Sequence, residues 1–298
     1  MIFPRSFLSV CLFALPLSVG CVNISGSDLG RFVQREEKRF TVDGKPEVVL
    51  STFDGSIEIR SWDGPDVLVI VEKRAATQSA AASIEVLSAQ QGNRVSVEVK
   101  MPAHLYGWNW LGGGGSARLI VSVPASSDVR ASSGDGSIDL EHVNGAIALR
   151  SGDGSIHATS ASGNLTVNTG DGSINLDGVD GTLEATTGDG SVKVTGKLTS
   201  VRARTGDGSI AVHAQPGSSA SADWDLASGD GSVTLEIPEG FSADLDAHTG
   251  DGGINLNGVS VTNVTGAISR NTVKGQLGSG GRSLHVRTGD GSITLRRF

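Results

Sequence analysis

Two cysteines, one tyrosine and four tryptophans are all that this chain of 298 residues holds of those types. So few cysteines exclude a disulfide framework, and aromatics at 4% leave little material for a thick globular core. Basic side chains are also short: 24 Lys and Arg against 32 Asp and Glu give a net charge of −8. An acidic chain with no basic stripe argues against nucleic-acid binding. Beyond residue 20 no run approaches the roughly 18 apolar residues of a membrane-spanning helix. Glycine is what abounds, at 42 residues, about twice its usual share of roughly 7%. That mixture suits many tight turns between short strands.

The glycines recur in one phrase, Ser/Thr-Gly-Asp-Gly-Ser-Ile, whose aspartates are Asp135, Asp153, Asp171, Asp189, Asp207, Asp230, Asp251 and Asp290. The first five are spaced by 18 residues, and the later gaps are 23, 21 and 39. Self-similarity at such a period marks a repeat architecture, because one unit cannot bury its own apolar face. Aliphatic residues hold fixed offsets around each aspartate: Ile138 and Leu140 after Asp135, and Ile147 and Leu149 before Asp153. The unit is strand, Gly-Asp-Gly turn, strand, glycine corner, with alternate side chains pointing inward. The predicted fold is all-β, a parallel β-solenoid of about 18-residue coils in which like residues stack about 4.8 Å apart. An up-and-down meander of hairpins shares the unit, but small, uniform inner residues favour self-stacking coils. With a worn copy at Arg270-Asn271-Thr272-Val273, the pattern predicts nine turns and a rod on the order of 40 Å long.

The N-terminus reads as a targeting segment. Arg5 precedes the apolar stretch Phe7 to Gly20, and Leu17-Ser18-Val19-Gly20-Cys21 resembles a lipoprotein box. Cleavage there would leave Cys21 as the lipid-bearing first residue of a chain with net charge −9, since Arg5 is the one charged residue removed. An ordinary secretory signal is the alternative. The expected organisation is a lipoprotein signal peptide over 1–20, a polar tether over 21–39, a divergent β-rich region over 40–124 and the repeat solenoid over 125–298. Thr52-Phe53-Asp54-Gly55-Ser56-Ile57 is an outlying copy of the phrase within the divergent region, where Thr77 to Ser83 reads as a low-complexity connection.

Two features invite chemistry. The aspartate ladder has a conformational reading, Asp tolerating left-handed turn geometry, and a sharper one in which Ca²⁺ bridges neighbouring rungs, though the nonapeptide phrase of calcium β-rolls is missing. The stretch Ala103 to Leu111 carries Tyr106, Trp108 and Trp110 beside the glycines 112–115. Those rings either cover an open sheet edge or contact a glycan or protein partner. Catalysis finds little support: six histidines fall at different offsets from the turn aspartate, and no nucleophile pairs with a base.

In Ser51 to Val67, Ile120 to Pro124, the Ser/Thr-Gly-Asp-Gly-Ser series and Asp223 to Thr249, the chain resembles a bacterial family of β-strand-repeat proteins labelled "putative adhesins". The resemblance implies an envelope protein of β-solenoid-like fold with no established enzyme activity, and it carries over no binding residues. The expected function is a non-enzymatic scaffold or adhesin-like surface, anchored by its N-terminal lipid at the outer membrane or periplasmic face. A polysaccharide-active β-helix enzyme and an envelope sensor or partner-binding module are the alternatives.

Overall fold

A computed structural model describes residues 26–28, 31–101, 115–265 and 269–298. The 18-residue period becomes a coil with one strand in each of two columns. Asp128–Ser133 runs to the Gly-Asp-Gly turn, Ile138–Glu141 leaves it, and Asn144–Ser151 begins the next coil in parallel register with Asp128–Ser133. Equivalent residues are direct partners: Ile57, Ile138, Ile156, Ile174, Val192 and Ile210 form one unbroken line, each at most 1% exposed. A fully buried aliphatic contributes about 1.5–3 kcal/mol, while every ordered residue costs about 1–2 kcal/mol of backbone entropy. A coil is therefore stable only between neighbours. The solenoid reading holds, and the hairpin meander does not.

Both ends depart from chain order. At the N-terminal end, coil 47–62 lies between coil 128–141 and an outer coil formed by Arg94–Lys100 and Ser116–Pro124. At the other end, coil 283–297 is inserted between coils 224–237 and 243–257. Among the described residues the count is ten stacked coils, or about 43 Å of rod at 4.8 Å per step. The supposed worn copy is not among them. Thr272–Leu277 pairs antiparallel with Ala243–Thr249 and closes that column as a cap.

Antiparallel strands also close the first end. Glu85–Gln91 covers Arg94–Lys100, and Val67–Ala75 covers Ser116–Pro124. Arg31–Phe40 pairs with Val67–Ala75 along its length, and Gly26–Asp28 pairs with Arg31–Val33. The predicted tether over 21–39 is thus corrected: from Arg31 onward it is strand, its charges deployed along a sheet edge, where they discourage further strand addition. Lys73 faces inward there, 5% exposed, and pairs with Glu36 at 2.6 Å. The connection at Thr77 to Ser83 contains a short helix, Gln78–Ser83, capped where Thr77 Oγ1 accepts from Ala80 N.

Left-handed backbone sits at the corner opposite the Gly-Asp-Gly turn. His142 (φ 58°), Ser160 (φ 53°) and Gly178 (φ 67°) occupy the same place in three successive coils. An L-residue pays roughly 1–2 kcal/mol to sit there, and glycine does not. The variant His142→Gly is expected to gain up to about 1 kcal/mol in urea denaturation, the gain being reduced by glycine's larger unfolded-state entropy. A loss of stability would show that the imidazole makes a compensating contact.

Candidate functional site

The turn edge is built by hydroxyls rather than carboxylates. The Ser or Thr opening each phrase is buried and donates to the carbonyl of the second turn glycine one rung away. Examples are Ser133 to Gly55, Ser151 to Gly136, Thr169 to Gly154, Thr205 to Gly190 and Thr288 to Gly231, at 2.7–2.8 Å. The oxygens of Ser133, Ser151, Thr205, Ser228 and Thr249 also accept the N–H of the second glycine in their own turn, as Thr205 Oγ1 does from Gly208 at 3.2 Å. First glycines bond rung to rung, Gly152 N to Gly134 O and Gly170 N to Gly152 O at 2.5 Å. The backbones approach so closely that a Cβ on Gly172 would lie under 3.0 Å from the carbonyl of Gly154.

The eight aspartates point into solvent from this edge. None has positive φ, the described non-glycine examples being His142, Ser160 and Asn263; the left-handed reading of the motif aspartate is corrected. Asp54 extends the ladder, its carboxyl pushed up by burial and then by Asp135. Among the described residues no three His, Cys, Asp or Glu side chains converge as a metal site would require.

The outward columns are where the repeat varies. Glu58, Asp139, His157, Asn175 and Lys193 are successive outward partners on one column. His157 Nδ1 lies 3.6 Å from Asp139 Oδ1, and its Nε2 lies 3.3 Å from Asn175 Nδ2. Arg118 closes the line on Glu58. Between the longer His157 and Lys193 side chains lies a shallow groove of about 520 Å³, completed by Thr159, Asn175, Asp177 and Thr195. It offers donors and acceptors pitched at the coil spacing of about 4.8 Å, an arrangement able to hydrogen-bond an extended polar ligand but holding no nucleophile activated by a base.

Burial pushes the Asp139 carboxyl above its usual range; His157 and Arg60 oppose the shift, and Glu58 and Glu141 reinforce it. A carboxyl raised on folding stabilises the fold while protonated and loses that contribution as pH rises through its folded value. The variant Asp139→Asn is therefore expected to melt slightly higher than wild type at pH 7 and together with it below about pH 4. Equal melting at pH 7 would show that the His157 contact offsets the cost of burial in full.

Of the residues predicted from sequence, the aspartate ladder forms one continuous exposed edge. Cys21, Tyr106, Trp108 and Trp110 lie outside the described residues. The groove residues were missed, because outward positions follow no repeat; lining up the positions four and six after each turn aspartate would have brought His157, Asn175, Lys193, Thr159, Asp177 and Thr195 together.

Among solved structures, the "putative cell adhesion protein" of Clostridium sporogenes matches at 15% identity over 89% of this chain and 100% of its own, with a TM-score of 0.29. The "putative adhesin" of Bacteroides fragilis matches at 11% identity, 89% and 97% coverage and TM-score 0.34. The "putative lipid binding protein" of Parabacteroides distasonis matches at 11% identity, 89% and 96% coverage and TM-score 0.35. No curated protein matches. Residues 47–296, which hold both the hydroxyl-lined turn edge and the outward groove, match the model of the Toastrack DUF4097 family, and the chain belongs to that family.

Proposed function

We propose that the protein is a non-enzymatic, lipid-anchored rod of the bacterial cell envelope that presents an adhesin-like surface to an envelope glycan or protein. The observation that supports this most is the contrast between an interior that stays apolar coil after coil and an exterior that changes its chemistry. Inward positions and turn hydroxyls repeat coil after coil, while the outward column through Asp139, His157, Asn175 and Lys193 changes at every step. Repetition serves the scaffold, and variation serves recognition.

Lipid on Cys21 would also set the rod's orientation. Four residues separate Cys21 from the first strand, Gly26–Asp28, and the five steps along the chain reach at most about 18 Å. The first end of the rod would rest against the membrane, with the outermost coil at the other end about 43 Å further out. Outer-membrane or periplasmic placement follows from the anchor.

Three measurements test the proposal. Cells fed a clickable fatty acid should label the wild-type chain and not Cys21→Ser; equal labelling would remove the anchor. Glycan arrays and envelope pull-downs with the mature chain should give ligands whose binding drops at least tenfold in Lys193→Ala/Asn175→Ala, placing contact in the groove. A drop confined to Trp108→Ala/Trp110→Ala would place it on the aromatic segment instead. Release of new reducing ends from a bound polysaccharide would overturn the non-enzymatic assignment.

A further inference from the structure

The inserted coil 283–297 meets two equivalent surfaces. On one side Leu284, Val286, Thr288, Ile293 and Leu295 pair with Trp224, Leu226, Ser228, Val233 and Leu235. On the other side the same five residues pair with Leu245, Ala247, Thr249, Ile254 and Leu256. The turn bonds are equivalent too: Thr288 Oγ1 donates to Gly231 O, and Thr249 Oγ1 to Gly291 O, both at 2.7 Å. With coil 283–297 withdrawn, coil 243–257 can dock on coil 224–237 in the same register and make the same kinds of contact. Its linker, residues 238–242, spans two rungs in the inserted arrangement and would easily span one.

The remaining sequential arrangement, with the last coil outside coil 243–257, is closed by the molecule's own cap. Thr272–Leu277 already occupies the outer edge of Ala243–Thr249. The last coil instead lies between two coils that precede it in the chain. Once there it is secured on the outer face: Phe298 stacks on His213 at 4.5 Å, and Arg296 pairs with Glu236 at 3.3 Å.

From this geometry we infer that coil 243–257 has two berths, and that the C-terminal coil acts as a wedge. The earlier-made coil first stacks on coil 224–237, and the last sixteen residues then displace it outward by one rung. Residues up to coil 243–257 thus form a complete shorter stack, which the C-terminal segment opens and lengthens. Strand insertion of this kind is a known form of switching between two packings of one sequence.

The two berths can be separated by disulfide trapping in the full mature chain, with Cys21→Ser removing the native thiol. Positions 232, 292 and 253 are equivalent turn sites. Adjacent rungs, about 4.8 Å apart, suit a disulfide, and rungs two apart, about 9.6 Å, do not. Side chains are tolerated at all three, since a Cβ at Gly253 meets only the Arg270 side chain, at 3.8 Å or more. Ser232→Cys/Gly253→Cys should cross-link when oxidised early in refolding, at least tenfold above the two-rung control Ser155→Cys/Ser191→Cys, and fall to the control level in the native protein. Ser232→Cys/Ser292→Cys should cross-link only later, as insertion proceeds. Adding Leu284→Asp, which bars insertion, should keep the 232–253 cross-link high at equilibrium in a chain that still melts cooperatively. The inference is overturned if the 232–253 pair never exceeds control during refolding, or if Leu284→Asp leaves it at control level.

Discussion

Alanine at Gly172 is expected to destabilise the protein by at least about 3 kcal/mol, more than overpacking a core usually costs. The added methyl would fall under 3.0 Å from the Gly154 carbonyl, and neither partner can yield. Gly172 lies within a turn whose neighbouring rungs are fixed by hydrogen bonds on both sides, and moving it apart would break parallel pairing in both columns. Asp171→Asn, one residue away, is expected to be neutral or slightly stabilising, since the carboxylate is exposed and lies in a row of like charges each costing at most about 1 kcal/mol before salt screening. Urea denaturation of the two variants makes the comparison. A Gly172→Ala loss below about 1 kcal/mol would mean that neighbouring rungs can part enough to admit a methyl.

Removing the hydroxyl of Thr205 should be nearly as damaging. The side chain is buried, donates to Gly190 O at 2.8 Å and accepts from Gly208 N at 3.2 Å. Valine preserves its shape and leaves a part-buried N–H and a buried carbonyl without that partner, at about 1–3 kcal/mol for each unsatisfied group. Thr205→Val should lose about 2–4 kcal/mol on that basis. Thr205→Ser keeps the oxygen and should lose less than about 1 kcal/mol, mostly the buried methyl. Equal losses in the two variants would assign the residue's importance to packing instead of hydrogen bonding.

The contrast between these two residues and Asp171 shows where the sequence was legible and where it was not. Periodicity exposed the inward columns, because Ile138, Ile156 and Ile174 bear the same relation to their own turns as to each other. The turn phrase was equally visible, but the division of labour inside it was hidden. A serine or threonine hydroxyl that bonds the rung next to it looks, along the chain, like any polar residue opening a turn, whereas aspartate between glycines draws attention. The stacking order was hidden for a related reason. Coils 224–237, 243–257 and 283–297 present interchangeable partners, so local pattern cannot say which lies in the middle, and the antiparallel cap Thr272–Leu277 fills a gap of the length expected for a degraded repeat. Arg31–Phe40 escaped notice because both faces of that strand carry charge, which erases the apolar alternation by which strands are recognised. The groove around Asn175 was illegible because recognition there depends on departures from the repeat.

The out-of-order coils at both ends also govern how such a rod can change length over generations. Between Asp128 and Ala214 the units follow one another in simple succession, so a slipped or duplicated segment of 18 residues in that stretch adds one step of about 4.8 Å and disturbs neither terminus. A unit added next to coil 283–297 has no such freedom, because that coil is held on both sides by coils that precede it in the chain. Proteins of this build should therefore vary in size through their middles, with both ends kept at fixed length.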